Sequence, residues 1–209
     1  EYGNWEEGDL GQTHRFFNFS DLKPGDRGEN TISLHVVDND AWGRLIIDNL
    51  VDEDVTCTEP ETESSDPECS AEAPVPGNGE LREALRFWVW LDQGSTPGFQ
   101  GVQEDSEEGD NIYQAATEPI LITPGQIDAN GETWNLWEGL QAAWAFNNNN
   151  DSPGILQDGR LMGSITYYFG VAWDLPFETG NEVQSDRFGG DMTIEVMQHK
   201  NVPTPFPTL

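Results

Sequence analysis

Residues 30–37 read NTISLHVV, and within this run Ile32, Leu34 and Val36 alternate with Thr31, Ser33 and His35. A period of two places successive side chains on opposite faces, so the run specifies a strand with one face buried. Short runs of the same kind recur at 13–19 (THRFFNF), 43–50 (GRLIIDNL), 85–91 (LRFWVWL), 119–123 (PILIT), 161–175 (LMGSITYYFGVAWDL) and 191–199 (DMTIEVMQH). Turn signals such as Pro24-Gly25 and Asp38-Asn39-Asp40 separate them. In the 85–91 run Phe87, Val89 and Leu91 face one way and Trp88 and Trp90 the other, so both sides need cover and a central strand is expected. A bulge is expected at Gly170.

The period changes once. Between 130 and 146, Trp134, Trp137, Leu140 and Trp144 recur at three and four, which predicts an amphipathic helix capped by Thr133 and covering an end of the sandwich. Seven or eight short strands with one helix define an all-β chain, an antiparallel sandwich of jelly-roll-like type with acidic loop insertions. The expected organisation is a single domain over 1–209, with an N-terminal extension at 1–12, an acidic insertion at 52–80 and a Pro-rich tail at 202–209.

Charge restricts the partners. The 209 residues carry 39 Asp plus Glu against 9 Lys plus Arg, a formal charge of −30, which disfavours nucleic acid and anionic membranes. With 8 Trp and 10 Phe the chain is nonetheless a folding sequence and not a disordered acidic one. Such self-repulsion is tolerable where salt screens it, within roughly 3 Å at 1 M, so a halophilic setting is expected. No run approaches a membrane span, and the chain, starting at Glu1 with no basic, apolar leader, reads as a processed product. Cys57 and Cys69 sit with eleven residues between them in the acidic tract, where a local disulfide outside the cell is favoured over a metal pair, because two thiols do not close a zinc site.

Catalytic signals are sparse. The three His (His14, His35, His199) form no H-E-x-x-H, and Ser164 lies mid-strand with no G-x-S-x-G elbow. Oxygen-rich calcium ligation is a candidate chemistry at Asp92, Glu104, Asp105, Glu107, Glu108 and Asp110, although their spacing departs from the EF-hand loop. Asn18 and Asn150 each begin an N-x-S sequon and are candidate glycosylation sites.

The runs LKPGD (22–26), TISLHV (31–36), YFGVAWDLP (168–176), GNEVQSD (180–186) and QHKN (198–201), in that order, resemble the TasA/camelysin group of secreted proteins with SipW-dependent signal peptides, in the acidic form found in haloarchaea. The resemblance implies a jelly-roll sandwich, an extracellular, cell-surface or matrix address with the signal peptide removed, and no enzymatic activity. It further implies a filament or biofilm-matrix subunit in which an N-terminal strand of one copy completes the sheet of the next. That apolar strand is thin here: residues 1–12 offer Tyr2, Trp5 and Leu10, so either these are the docking side chains or the donor lies upstream of Glu1. Two other readings are a camelysin-like metal-dependent protease and a monomeric surface module binding calcium, glycan or a partner. No cofactor is required by the first reading.

Overall fold

The computed structural model describes residues 11, 22–64, 69, 79–202 and 205–206. Strands β1 (Arg27–Val36), β3 (Arg86–Leu91), β4 (Ile120–Gly125) and β6 (Ile165–Asp174) form one sheet in the order β1-β6-β3-β4. Strands β2 (Ala41–Asp54), β5 (Glu132–Asn135) and β7 (Asp186–Gln198) form the other, in the order β5-β2-β7. Every pairing is antiparallel. Three short α-helices, α1 (Glu59–Ser64), α2 (Leu81–Ala84) and α3 (Leu136–Phe146), and two 3-10 turns, Asn181–Val183 and His199–Asn201, complete the described elements. The result is the all-β antiparallel sandwich that the alternating runs call for.

The inner rows of the two sheets make the core. On β1, Ile32, Leu34 and Val36 stand opposite Phe169, Tyr167 and Ile165 of β6. Val89 and Leu91 of β3, Val171 of β6 and Leu45 of β2 are closed to solvent, as are Leu140, Ile155 and Leu161. Burying side chains of this size contributes about 1.5–3 kcal/mol each against their exposed reference. A second cluster, Leu81, Leu85, Trp173, Leu175 and Val183, closes one end.

β3 lies between β6 and β4, so its central placement is observed. The outer side is covered too: Trp90 has no exposed surface and packs edge-on to Tyr113 at 5.9 Å. The bulge expected at Gly170 is absent, because the registers of β6 with β1 and with β3 run through it unbroken. Gly170 instead makes room for Trp90, since a Cβ there would lie 2.1 Å from the indole Cε2 and Cζ2. The register breaks in β2, between Asp48 and Val51, where Asn49 has φ 50°.

The helix begins later than its periodicity suggests. Glu132–Asn135 pairs with Arg44 to Ile47 as β5, so Thr133 and Trp134 are strand residues. Asn135 stands at the N-cap without a side-chain capping bond. Sheet pairing, a tertiary gain, overrides a local period here. α3 packs on β4 of one sheet and β2 of the other, and therefore closes the β4/β5 side of the sandwich and not its end. Gly139 permits the approach, since a Cβ would meet the Leu121 Cβ at 2.8 Å.

In the 52–80 tract, residues 52–64 carry regular structure that a solvated insertion does not call for. β2 continues into it as far as Asp54, and α1 follows. Thr58-x-x-Glu61 forms half of a capping box, the Glu61 carboxylate accepting the Thr58 N–H. The expected disulfide is present, Cys57–Cys69 with Cα atoms 5.2 Å apart.

Candidate functional site

With α3 on the β4/β5 side, the opposite side of the sandwich carries β1 and β7. β7 is thirteen residues long and, among the described residues, pairs with β2 alone. Directly opposed residues of an antiparallel pair share a face. Ile194 stands against Leu45, Met192 against Ile47 and Val196 against Gly43. Leu45 and Ile47 are buried in the core, so Met192, Ile194 and Val196 form the inner row of β7. That row is incompletely covered: Met192 and Ile194 are half-buried and Val196 is 53% exposed. Phe188 continues the inner face, packing on Phe87 across the sandwich at 6.2 Å. The alternate positions Arg187, Asp191 and Thr193 are exposed and polar. The candidate docking residues Tyr2, Trp5 and Leu10, the 13–19 run and Asn18 lie outside the described residues.

The acids expected to gather calcium serve the loop between β3 and β4. Asp92 is closed to solvent, and its Oδ1 accepts the Gly109 N–H (2.9 Å) while Oδ2 accepts the Asn111 N–H (3.0 Å) and the Thr31 hydroxyl (2.8 Å). Asp105 Oδ2 accepts the Thr96 N–H (2.9 Å) and the Ser95 hydroxyl (3.0 Å), and its Oδ1 accepts the Glu107 N–H (3.1 Å). Glu108 Oε2 accepts the Gln100 and Gly101 N–H groups at 2.8 and 3.1 Å. Asp110 is half-buried and takes the Ile112 N–H, while Glu104 and Glu107 are exposed. These carboxylates stand in for strand neighbours, saturating loop N–H groups that would otherwise be left without acceptors.

Two residues absent from the sequence-based expectations complete the loop. Glu118, fully buried, accepts the Gly94 N–H (3.0 Å) and the Gln114 N–H (2.8 Å). Gln93, also fully buried, gives Nε2 to the Thr117 carbonyl (2.7 Å) and takes the Gly98 N–H at Oε1 (2.9 Å). Burial pushes the Glu118 carboxyl up to about 8, with the adjacent Asp92 adding to the rise. Burial also raises Asp92 and Glu108. At Asp105 burial acts upward, but the N–H groups of Thr96 and Glu107 outweigh it and hold the carboxyl below its ordinary range.

A second acid cluster lies where β2, α1 and β7 meet. Carboxylate oxygens of Asp54, Glu61 and Asp186 fall within 4.8 Å of one another, and these are the carboxylates that converge in this way among the described residues. Asp54 and Glu61 are buried, and Glu61 accepts the Ser185 hydroxyl at 3.0 Å. Asp186 Oδ2 accepts the Leu81 N–H at 2.9 Å, joining β7 to the start of α2. Burial, with Asp54 and Glu61 nearby, pushes Asp186 up to about 7. The Cys57 and Cys69 sulfurs flank this cluster within 3.9 Å of Asp54. No local pattern marks Asp54, Glu61 or Asp186, which come from three separate elements.

His35 Nδ1 hydrogen bonds with the Thr166 hydroxyl at 2.8 Å and His199 packs edge-on to Trp42 at 5.1 Å, so the structure brings these two His to different neighbours. Asn150 is exposed at the turn after α3, where Asp151 accepts the Trp144 indole N–H at 2.8 Å. Compared with known proteins, the chain matches no family model, no curated protein and no solved structure.

Proposed function

We propose that the protein is a secreted, non-enzymatic structural subunit that polymerises by strand exchange into an extracellular filament or matrix fibre. The observation that carries this reading is the imbalance of the sandwich: a three-stranded sheet faces a four-stranded one, and the inner apolar row of β7 is left part-covered beside an edge with no described neighbour. An added strand would supply acceptors and donors for the β7 backbone and bury Met192, Ile194 and Val196 with its own alternate side chains. A strand donated by the next copy repeats head to tail and gives an open fibre. Residues 1–12, with Tyr2, Trp5 and Leu10, are the donor in this reading. The disulfide supports an oxidising compartment. Among the described residues five arginines pair with acids within the copy, and the remaining acids leave exposed faces strongly negative, which favours assembly in high salt.

The test is size-exclusion chromatography and negative-stain microscopy in molar salt, comparing the full chain with Val196→Lys and with a chain lacking residues 1–12. A lysine on the inner row of an edge strand blocks strand addition while leaving a partly exposed position solvated. Fibres from the full chain, and folded monomers from both variants, are expected. Fibres of normal appearance from Val196→Lys would refute β7 as the acceptor, and a full chain that stays monomeric would refute the polymer.

A further inference from the structure

The loop between β3 and β4 covers the outer face of the four-stranded sheet, and its two ends are fastened at one point. The Leu91 N–H bonds to the Pro119 carbonyl at 3.0 Å, which sets Asp92 and Glu118 side by side where the loop leaves and re-enters the sheet. Both residues have no exposed surface, and their carboxyl groups are in hydrogen-bond contact. Two adjacent buried carboxyls cannot both be ionised without severe repulsion, so a hydrogen bond between them requires a proton on one. Four loop N–H groups depend on this pair: Gly94 and Gln114 on Glu118, and Gly109 and Asn111 on Asp92. The Thr31 hydroxyl ties the same pair to β1.

We propose that the 92–118 loop is a proton-dependent latch, held closed over the outer face of the sheet by one proton shared between Asp92 and Glu118 and released when that proton is lost.

The charges that face the pair are negative, so they favour keeping the shared proton and, once it is lost, add to the repulsion that opens the loop. Asp105, Glu108 and Asp110 face the pair from the loop itself, and the Tyr113 hydroxyl lies within reach of the Glu118 charge. From β1 the facing charge is Glu29, whose nearest cation is Arg27. From β6 the pair meets the Tyr168 carbonyl, which accepts the Asp92 N–H, and from the end of α3 it meets the neutral Asn147 through Gln93. Among the described residues no Lys or Arg side chain bonds to Asp92, Asp105, Glu108 or Glu118. With no cation to take over the proton's role, ionisation leaves a doubly charged pair in a closed site. The raised Glu118 carboxyl, at about 8, sets the upper end of the range over which release proceeds. What release uncovers is aromatic: Trp90 on the sheet and Tyr113 and Tyr168 against the loop, with Gly109 seated on the Tyr168 ring.

The test is residue-resolved hydrogen exchange on the full chain in molar salt, with rates corrected for the intrinsic pH dependence. Between about pH 5 and pH 8, protection of the Gly94, Gly109, Asn111 and Gln114 amides is expected to fall by up to about tenfold per pH unit, levelling off above about pH 8 where the closed loop has lost the shared proton too. The β3 and β6 amides of Val89 and Val171 should hold their protection throughout. In Glu118→Gln, which stays neutral and donates to Asp92 at every pH, the fall in loop protection should vanish. A pH-independent loop in the parent chain overturns the latch, as does a Glu118→Gln chain with an unchanged pH response, or a loss of loop and core protection together. Carbon-13 titration of the side-chain carboxyls in the unsubstituted chain gives an independent reading: one proton retained by the Asp92/Glu118 pair at neutral pH is expected, and two fully ionised carboxylates there would overturn the proposal even if the variant does not fold.

Discussion

Gly170→Ala tests the packing on which the outer layer rests. The added methyl would sit 2.1 Å from two indole atoms of Trp90 and 2.4 Å from a third. Ordinary carbon contact is about 3.5–4.0 Å, so the ring or the strand must move by roughly 1.5 Å. Neither has an easy way to do so. Gly170 is paired on both sides, to Thr31 and to Trp90 itself, and the indole is closed in by the loop and Tyr113. Overpacking a well-filled site costs about 1–3 kcal/mol and more where rigid groups collide, whereas Ala in place of Gly regains only about 0.5–1 kcal/mol of backbone entropy. A net loss of about 3 kcal/mol is therefore expected.

Urea unfolding in molar salt, followed by tryptophan fluorescence and by circular dichroism, measures it if the two transitions coincide. The control is Trp90→Leu, which removes the colliding ring atoms. In that background Gly170→Ala should cost less than about 1 kcal/mol, so the two substitutions should couple by roughly 2 kcal/mol or more. A Gly170→Ala chain within about 0.5 kcal/mol of the parent, or an equal cost in both backgrounds, would show that the glycine answers to something other than the indole.

Two further outcomes are expected. Replacing both Cys57 and Cys69 by Ser opens a loop of sequence separation 12 and should lower stability by about 3 kcal/mol in chain-entropy terms, read as a drop in urea midpoint that a reducing agent reproduces in the parent. Asp186, raised to about 7 by burial against an unfolded value of 3.8, binds its proton more tightly when folded, so its contribution is present below about pH 4 and is lost as pH rises through 7. Discounted for the partial exposure of Asp186, this amounts to about 2 kcal/mol, and Asp186→Asn should remove that share of the decline between about pH 4 and pH 7.

Side-chain periodicity was readable wherever a strand buries one face by itself. Ile32, Leu34 and Val36 announce β1, and the two-sided apolar character of Phe87 to Leu91 announces a central strand, because both depend on local spacing alone. Trp134 misled for the same reason: its spacing to Trp137 is helical, yet its backbone pairs with Leu45 across 89 residues of chain. The role of Gly170 required knowing that Trp90 lies beside it, which is again a non-local fact. Among 39 acids no spacing distinguishes Glu118 or Asp186 from those on the surface. What separates them is the presence of loop N–H groups facing them in the folded chain. That β7 has no described neighbour beyond β2 was equally hidden, since being an edge is a property of strand order and not of the strand.

The division of labour among the acids sets how the molecule answers to its medium. Most described ion pairs tie an arginine to an acid across the sheets or beside them: Arg44 with Glu195, Arg82 with Asp52, Arg86 with Asp174 and Arg187 with Glu53. Among the described residues the β3–β4 loop has no such pairs and is held instead by carboxylates bonded to backbone N–H groups. Salt screens exposed charges within a few ångströms but reaches buried ones weakly. Raising salt therefore acts on the outer faces, where uncompensated acids repel one another and neighbouring copies, and leaves the loop staples nearly unchanged. Protons act in the reverse sense, reaching Glu118 and Asp186 in a range where the exposed carboxylates are already ionised. Salt dependence should thus follow assembly, and the pH dependence of the outer loop should run up to about pH 8.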